Sequence, residues 1–231
     1  MNDDVLICDS GLACDTFNII TNLVFSRSNI NTVRDYIRTT RRPFSCWVGP
    51  GRCTPSQSRI LEENGFEFVE SEKAMWLDLN QIHEVPPIEN FAMRKVLSDS
   101  DVLSFAHITA SNWTPPDQNV IAFYTMIAGM ASKKKCPIEF FIGNYEDEPV
   151  CTAEVVMENN VAGLYNVSTR ASHRRKGLGW ATTMFCLLEA KKRDCTAAVL
   201  QASVEGVPLY KKIGFIDVGE YQEYRLNERF T

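Results

Sequence analysis

The sequence predicts a mixed α/β fold built on a mostly antiparallel sheet, and three observations carry that expectation. Segments with apolar residues at helical spacing alternate along the chain with short runs rich in β-branched and aromatic residues. Three such runs, "IEFFIGNYED", "PVCTAEVVMEN" and "VAGLYNVSTR", follow one another with only acidic or Asn-rich turns between them, the pattern of a meander. The third then leads through a basic turn with two glycines, "ASHRRKGLG", into an apolar-periodic helix.

Composition sets the bounds. At 231 residues, 45% hydrophobic and 23% charged, the chain can hold one large domain or two small ones. Asp and Glu (29) outnumber Lys and Arg (24), which argues against a nucleic-acid or anionic-membrane partner and makes any anion site local. The acidic N-terminus "MNDD" is unlike a signal peptide, and nowhere do about 18 apolar residues run together as a membrane span requires. The eight cysteines are scattered and none forms CxxC, so reduced thiols and a cytoplasmic location are expected. His83, His107 and His173 lie far apart in sequence, and no metal site is expected.

In chain order, "INTVRDYIRTTRR" sets Ile30, Val33, Tyr36 and Ile37 at helical spacing, and "PFSCWVGPG" reads as a strand ending in a turn. "SQSRILEENGF" reads as a helix stopped by Gly65, with "FEFVE" and "AMWLDL" as two strands after it. "NQIHEVPPIENF", with Pro86 and Pro87, is a linker, and the domains are placed at 1–84 and 88–231. Beyond it come a strand and a helix in "RKVLSDSDVLSFAHITASN", with Ser98 and Asp101 spaced as a capping box. "NVIAFYTMIAGMASKKK" is a second helix whose lysines suit its negative C-terminus. After the meander, Gly177 to Lys192 is a helix with Leu178, Ala181, Phe185 and Leu188 on one face. "AAVLQAS" is a strand, "VPLYKKI" a short helix closed by Gly214, and "FIDV" and "YQEYRL" the last strands. "RILEENGFEFV…MWLDL" and "PLYKKIGFIDV…EYRL" share one plan, an echo that indicates a truncated duplication.

The basic turn carries the chemistry. A helix N-terminus presents unpaired amides and about half a positive charge, a ready phosphate site. Gly177 and Gly179 let the backbone approach a ligand, and Arg174, Arg175 and Lys176 add attraction for a polyphosphate. Read blandly, the triplet is a solvated turn and the glycines only permit tight packing. A Walker A loop is absent, and a dinucleotide fingerprint would need a parallel βαβ unit where this sequence has a meander.

Arg174-x-x-Gly177-x-Gly179 after the strand "GLYNVSTR" resembles the pyrophosphate motif of the GCN5-related N-acetyltransferases, the GNAT superfamily. A second segment, "LQASVEGVPLYKKIGF", is similar to the family's cofactor-binding second half, and the likeness runs from about Phe91 to Leu226. It implies the GNAT fold, with a V-shaped split between the parallel strands "GLYNVSTR" and "AAVLQAS", and acetyl-CoA bound in the split. It further implies that Val167, Ser168 and Thr169 pair with the pantetheine amides and that the backbone from Arg174 through Leu178, Gly179 and Trp180 to Ala181 cradles the pyrophosphate. Ala171 departs from the pattern, standing where many relatives carry proline.

By the same likeness Tyr210 is placed to return a proton to the departing thiolate, against its plain role as an aromatic anchor. The general base stays open: Glu154, Glu146, Asp147 and Glu148 qualify by type only, and His173 reads as a surface or cofactor-edge residue. Lys133 to Lys135 read as a helix cap, with a contact to the cofactor's 3′-phosphate as the alternative. "ASNWTPPDQN", Ala110 to Asn119, reads either as an acceptor-side loop or as a plain connector.

Residues 1–84 look like the N-terminal part of two-lobed GNAT proteins, but without the glycine turn; the lobe is expected to shape the acceptor cleft and to bind no cofactor. The resemblance implies acetyl transfer to a primary amine of a small molecule or peptide. The rival is a non-catalytic acyl-CoA-binding or interaction protein on the same scaffold.

Overall fold

The computed structural model describes residues 5–21, 26–52, 54–84, 86–131 and 137–227. Its elements run β1 (Leu6–Cys8), β2 (Ile19–Thr21), α1 (Arg27–Thr40), β3 (Ser45–Val48), α2 (Pro55–Glu63), β4 (Phe66–Asp78), β5 (Phe91–Lys95), α3 (Asp99–Ala110) and α4 (Gln118–Ala131). Then follow β6 (Ile138–Tyr145), β7 (Glu148–Glu158), β8 (Val161–Thr169), α5 (Leu178–Lys191), β9 (Ala197–Ala202), α6 (Val207–Ile213) and β10 (Ile216–Leu226). The mixed, mostly antiparallel class expected from the sequence is the one observed. Lys133 to Lys135, expected to cap a helix, lie outside the described residues.

The chain forms two compact units, one drawn from 1–74 and 217–231, the other from 75–216. The Pro86–Pro87 linker is therefore not where the compact units divide. In the first unit β1 pairs antiparallel with β2, β2 runs parallel to β3, and β3 pairs antiparallel with β10. Ile30, Val33 and Ile37 of α1 bury against Phe44, Cys46 and Tyr224, the stripe that the helical spacing foretold. Ser26 caps α1 through the Asn29 amide, and Thr54 with Gln57 forms a capping box on α2.

Each half of the internal echo holds one uninterrupted strand, where the sequence predicts two with a turn. The polar stretches between the expected strands, Ser71 to Lys73 and Gly219 to Glu220, sit inside β4 and β10. Lys73 satisfies its charge there on Asp217, 3.3 Å away, and on Glu220, so polar residues on a solvated face do not end the strand.

In the second unit β5, β6, β7 and β8 pair antiparallel in succession, and β9 lies parallel to β8. The turns between β6 and β7 and between β7 and β8 carry positive φ at both central residues (Glu146 49°, Asp147 66°; Asn159 50°, Asn160 62°), the geometry of tight hairpins. Side chains alternate along β7: Ala153 and Val155 enter the core packed by Met184, Leu187 and Ala190 of α5, while Thr152 and Glu154 turn to the opposite face with α3 and α4. Phe105, Tyr124 and Phe140 close that face with T-shaped, edge-to-face contacts, their centroids 5.0 to 6.1 Å apart. Ser98 caps α3 through the Asp101 amide at 3.2 Å, and Asp101 Oδ2 accepts from the Leu97 amide, one residue earlier than a capping box would place it. Cys8, Cys14, Cys46, Cys151, Cys186 and Cys195 are free thiols. Among the described residues no helix is long and apolar enough to cross a membrane, and no His/Cys/Asp/Glu group could hold a metal ion.

Candidate active site

The pairing of β8 with β9 runs from Val161↔Ala197 to Leu164↔Leu200 and stops, although both strands continue. The cause lies on the other edge of β8. There Glu154 opposes Tyr165 and Thr152 opposes Ser168, so Asn166 and Val167 together face Ala153. Asn166 takes φ 48°, and the resulting bulge bends β8 away from its parallel neighbour. Past the bulge Ser168 and Thr169 keep their partners on β7, and among the described residues the edge of Val167, Ser168 and Thr169 toward β9 has no ladder partner.

The chain leaves the splay through a 3-10 turn at Ala171–His173 and enters α5 from Gly177, whose φ of 80° strains any residue with a Cβ. No side chain caps α5. The Arg174 amide bonds Ala171 O and the Ala181 amide bonds Gly177 O, while among the described residues no protein acceptor takes the backbone amides from Arg175 to Trp180. The donor run is thus narrower by one residue at each end than the sequence reading. Leu178 is buried with Val150 and Cys151 and anchors the helix start to β7. A Cβ on Gly179 would lie 3.6 Å from Thr169 Oγ1 and 3.6 Å from Leu209 Cδ2, so the tip of β8 and the first turns of α5 and α6 converge on one gap.

The three cations of the turn are not equivalent. Arg174 donates to Thr169 O (3.1 Å) and to Asn112 Oδ1 (3.3 Å), which makes it a brace between the turn and the α3–α4 loop. The Lys176 ammonium lies 4.7 Å over the Tyr145 ring, which also meets His173 edge-on, and Arg175 is exposed with φ 65°. Trp180 and Ala181 are half-buried along α5.

Tyr210 is 9% exposed, stands edge-on to Phe215 and covers Gly206, where a Cβ would come within 2.9 Å of its ring. Of the carboxylates, Glu146, Asp147 and Glu148 are exposed at a hairpin, whereas Glu154 is buried under α4. The Tyr124 hydroxyl donates to Glu154 Oε1, and Asn166 Nδ2 donates to the Tyr124 oxygen at 3.1 Å. Burial outweighs these bonds and raises the Glu154 carboxyl above its ordinary range; burial and the adjacent carboxylate push the Tyr124 phenol well up.

The Ala110–Asn119 loop is tied into the same face. Asn112 Nδ2 donates to Ser168 Oγ at 2.7 Å, Thr152 donates to Asn166 O at 3.1 Å, and Trp113 stands 45% exposed beside them in sequence. Tyr124, Asn112 and Asn166 escape a reading of the sequence, because helical spacing files Tyr124 with the core and nothing local marks the two asparagines.

A splayed parallel pair in a mixed sheet, with an uncapped helix starting at its mouth, is the feature of the second unit to compare with known folds. Residues 114–226 match the family described as "Acetyltransferase (GNAT) domain". Among solved structures, a GCN5-related N-acetyltransferase from Kribbella flavida superposes with a TM-score of 0.74 at 15% identity, over 97% of this chain and 87% of that one. One from Sphaerobacter thermophilus gives 0.66 at 16% identity over 96% and 75%, and a tandem GNAT protein from the clavulanic acid biosynthesis pathway gives 0.64 at 11% over 86% and 68%. At these identities the likeness is one of fold. No curated protein matches the chain by sequence.

Proposed function

We propose that the protein moves the acetyl group of acetyl-CoA to a primary amine of a small molecule or peptide, by direct attack in a ternary complex in the cytoplasm. The observation that carries this reading is the run of unaccepted amides from Arg175 to Trp180 at the open end of the β8–β9 splay. The residues present suit the group: the amides and the positive end of α5 match a diphosphate, and Gly179 leaves between Thr169 and Leu209 a space that a Cβ would occupy. Val167, Ser168 and Thr169 offer a free strand edge to an extended chain of amides.

Bound acetyl-CoA supplies an acyl group already activated as a thioester. The protein's part is to position the amine and to move protons. Glu154, held on the α3–α4 face with its affinity for a proton raised, receives the amine proton directly or through one water. The Tyr210 hydroxyl returns a proton on the departing side, from a ring fixed by Phe215. Asn112 and Arg174 join the acceptor loop to the phosphate turn, so that one side of the site is built against the other.

Thiol release from acetyl-CoA, measured across a panel of small amines and peptides, tests the reading. Turnover that falls in both Gly179→Ala and Glu154→Gln supports it. Tight CoA binding with no thiol release from any amine would leave a binding protein on a GNAT scaffold.

A further inference from the structure

The face of the sheet that carries Glu154 does not end where the helices cover it. α3 packs on that face over β6, β7 and β8, and the face continues across β8, β9 and the end of β4. There it bears two large aromatics open to solvent, Tyr165 at 45% and Trp76 at 37% exposure. Alternation fixes their side. Ala162 and Leu164 of β8, Ala198 and Leu200 of β9, and Met75 and Leu77 of β4 enter the core packed by α5. Gly163, Tyr165, Val199 and Trp76 therefore lie on the opposite face, with Glu154. β4 borders β9, and just past the strand the Leu79 amide donates to Thr196 O at 2.9 Å.

Exposed apolar side chains scattered singly are ordinary. Tyr165 is set apart by two relationships. It is the register partner of Glu154 across the β7–β8 ladder, which puts the two Cβ atoms roughly 5 Å apart. A Cβ on Gly163 would come within 2.8 Å of the Tyr165 ring, so the ring lies back along β8 over the glycine, whose partner on β9 is Val199. A missing side chain thus seats an aromatic ring beside the buried carboxylate, and Trp76 stands on the same face beyond β9.

We propose that this strip is the floor of the acceptor site and that the acceptor is a primary amine joined by a short alkyl arm to an aromatic ring. The proposal rests on the acetyl-transfer reading, in which Glu154 receives the amine proton. The acceptor ring stacks on Tyr165, with Trp76 flanking it, while the arm carries the nitrogen toward Glu154. An arriving ammonium is drawn by the ring faces and by the carboxylate alike. Gly163, Tyr165, Val199 and Trp76 bring no charge. The second ammonium of a diamine, or the hydroxyls of an amino sugar, would lose water on this strip and gain no ionic partner from it.

The test is calorimetric titration of phenethylamine, putrescine and glucosamine into the full chain with saturating CoA, paired with thiol release from acetyl-CoA for the same three amines. Phenethylamine is expected to bind about tenfold more tightly than the other two, the scale of one or two ring contacts. Tyr165→Leu and Trp76→Leu, each with circular dichroism as wild type, should bring its affinity down toward that of putrescine, whereas Tyr165→Phe keeps the ring and should keep the preference. Gly163→Ala, whose new Cβ displaces the ring from its seat, should act as Tyr165→Leu does. Equal affinity for the three amines, or a preference that survives Tyr165→Leu and Trp76→Leu, would overturn the floor even if thiol is released from all of them. Preferential binding of phenethylamine without thiol release would uphold the floor and remove the acetyl-transfer reading instead.

Discussion

The Tyr124 hydroxyl donates to Glu154 Oε1 in a buried pair that joins α4 to β7, and Asn166 of the β8 bulge completes it. Because burial raises the Glu154 carboxyl, its folded value lies above its unfolded one. Such a group favours the fold while protonated, so its contribution is present at acid pH and is lost as pH rises through the raised value. Glu154→Gln should therefore melt higher than wild type at neutral pH, with the gap closing toward about pH 4, near the ordinary carboxylate value. In kinetics the same variant should lose roughly 10²- to 10⁴-fold in turnover. Tyr124→Phe removes a donor to the carboxylate and should move the acid limb of kcat/KM to higher pH. An unmoved limb would take Glu154 out of the reaction.

Gly179 separates cofactor space from backbone strain. Gly177 needs φ 80°, so any replacement there mixes the two, whereas Gly179 has ordinary φ and a new Cβ would meet Thr169 and Leu209 only at contact distance. Gly179→Ala should fold as wild type and bind CoA at least tenfold more weakly by calorimetry, about 1.4 kcal/mol. Gly177→Asp should weaken binding further, with some loss of stability from the left-handed φ.

Tyr210→Phe keeps the ring against Phe215 and removes only the oxygen. CoA affinity should be unchanged, and turnover should fall about 10²-fold or more where chemistry limits the rate. Wild-type turnover in single-turnover measurements would make Tyr210 a packing residue.

Asn112→Ala deletes bonds to Ser168 and Arg174 and frees the α3–α4 loop from the turn. At about 1 kcal/mol for each bond, the acceptor KM should rise about five- to thirtyfold while CoA affinity changes little. An equal loss for both substrates would show that the loop supports the whole site and not the acceptor side.

A fragment starting at residue 88 should not melt cooperatively. It lacks Met75 and Leu77, both buried in the core of the second unit, and its β10 has lost the β3 partner it pairs with at Cys46 and Trp47. A sharp thermal transition in circular dichroism would contradict this.

Local patterns made the helices, the meander and the glycine turn legible, because each rests on neighbours within a few residues. Ser26, Thr54 and Ser98 cap where such residues should. The acceptor face was not legible for the opposite reason. Tyr124 meets Glu154 across 30 positions, Asn166 meets Tyr124 across 42 and Ser168 meets Asn112 across 56. Arg174 differs from its reading in the motif: its amide bonds Ala171 O and its guanidinium braces the α3–α4 loop.

The division of the chain also orders its folding in time. β10 contributes Tyr224 to the core of the first unit and Glu223 and Arg225 hydrogen-bonded beside it, yet it follows the whole of the second unit along the chain. Of the two units, the one entered earlier is therefore finished after the other, and until then Ile30, Val33 and Phe66 wait for a partner some 160 to 190 residues away. During that interval the nascent chain exposes a half-built core, so premature termination near residue 216 should leave a product that proteases and chaperones take up while the segment holding the α5 turn is already complete.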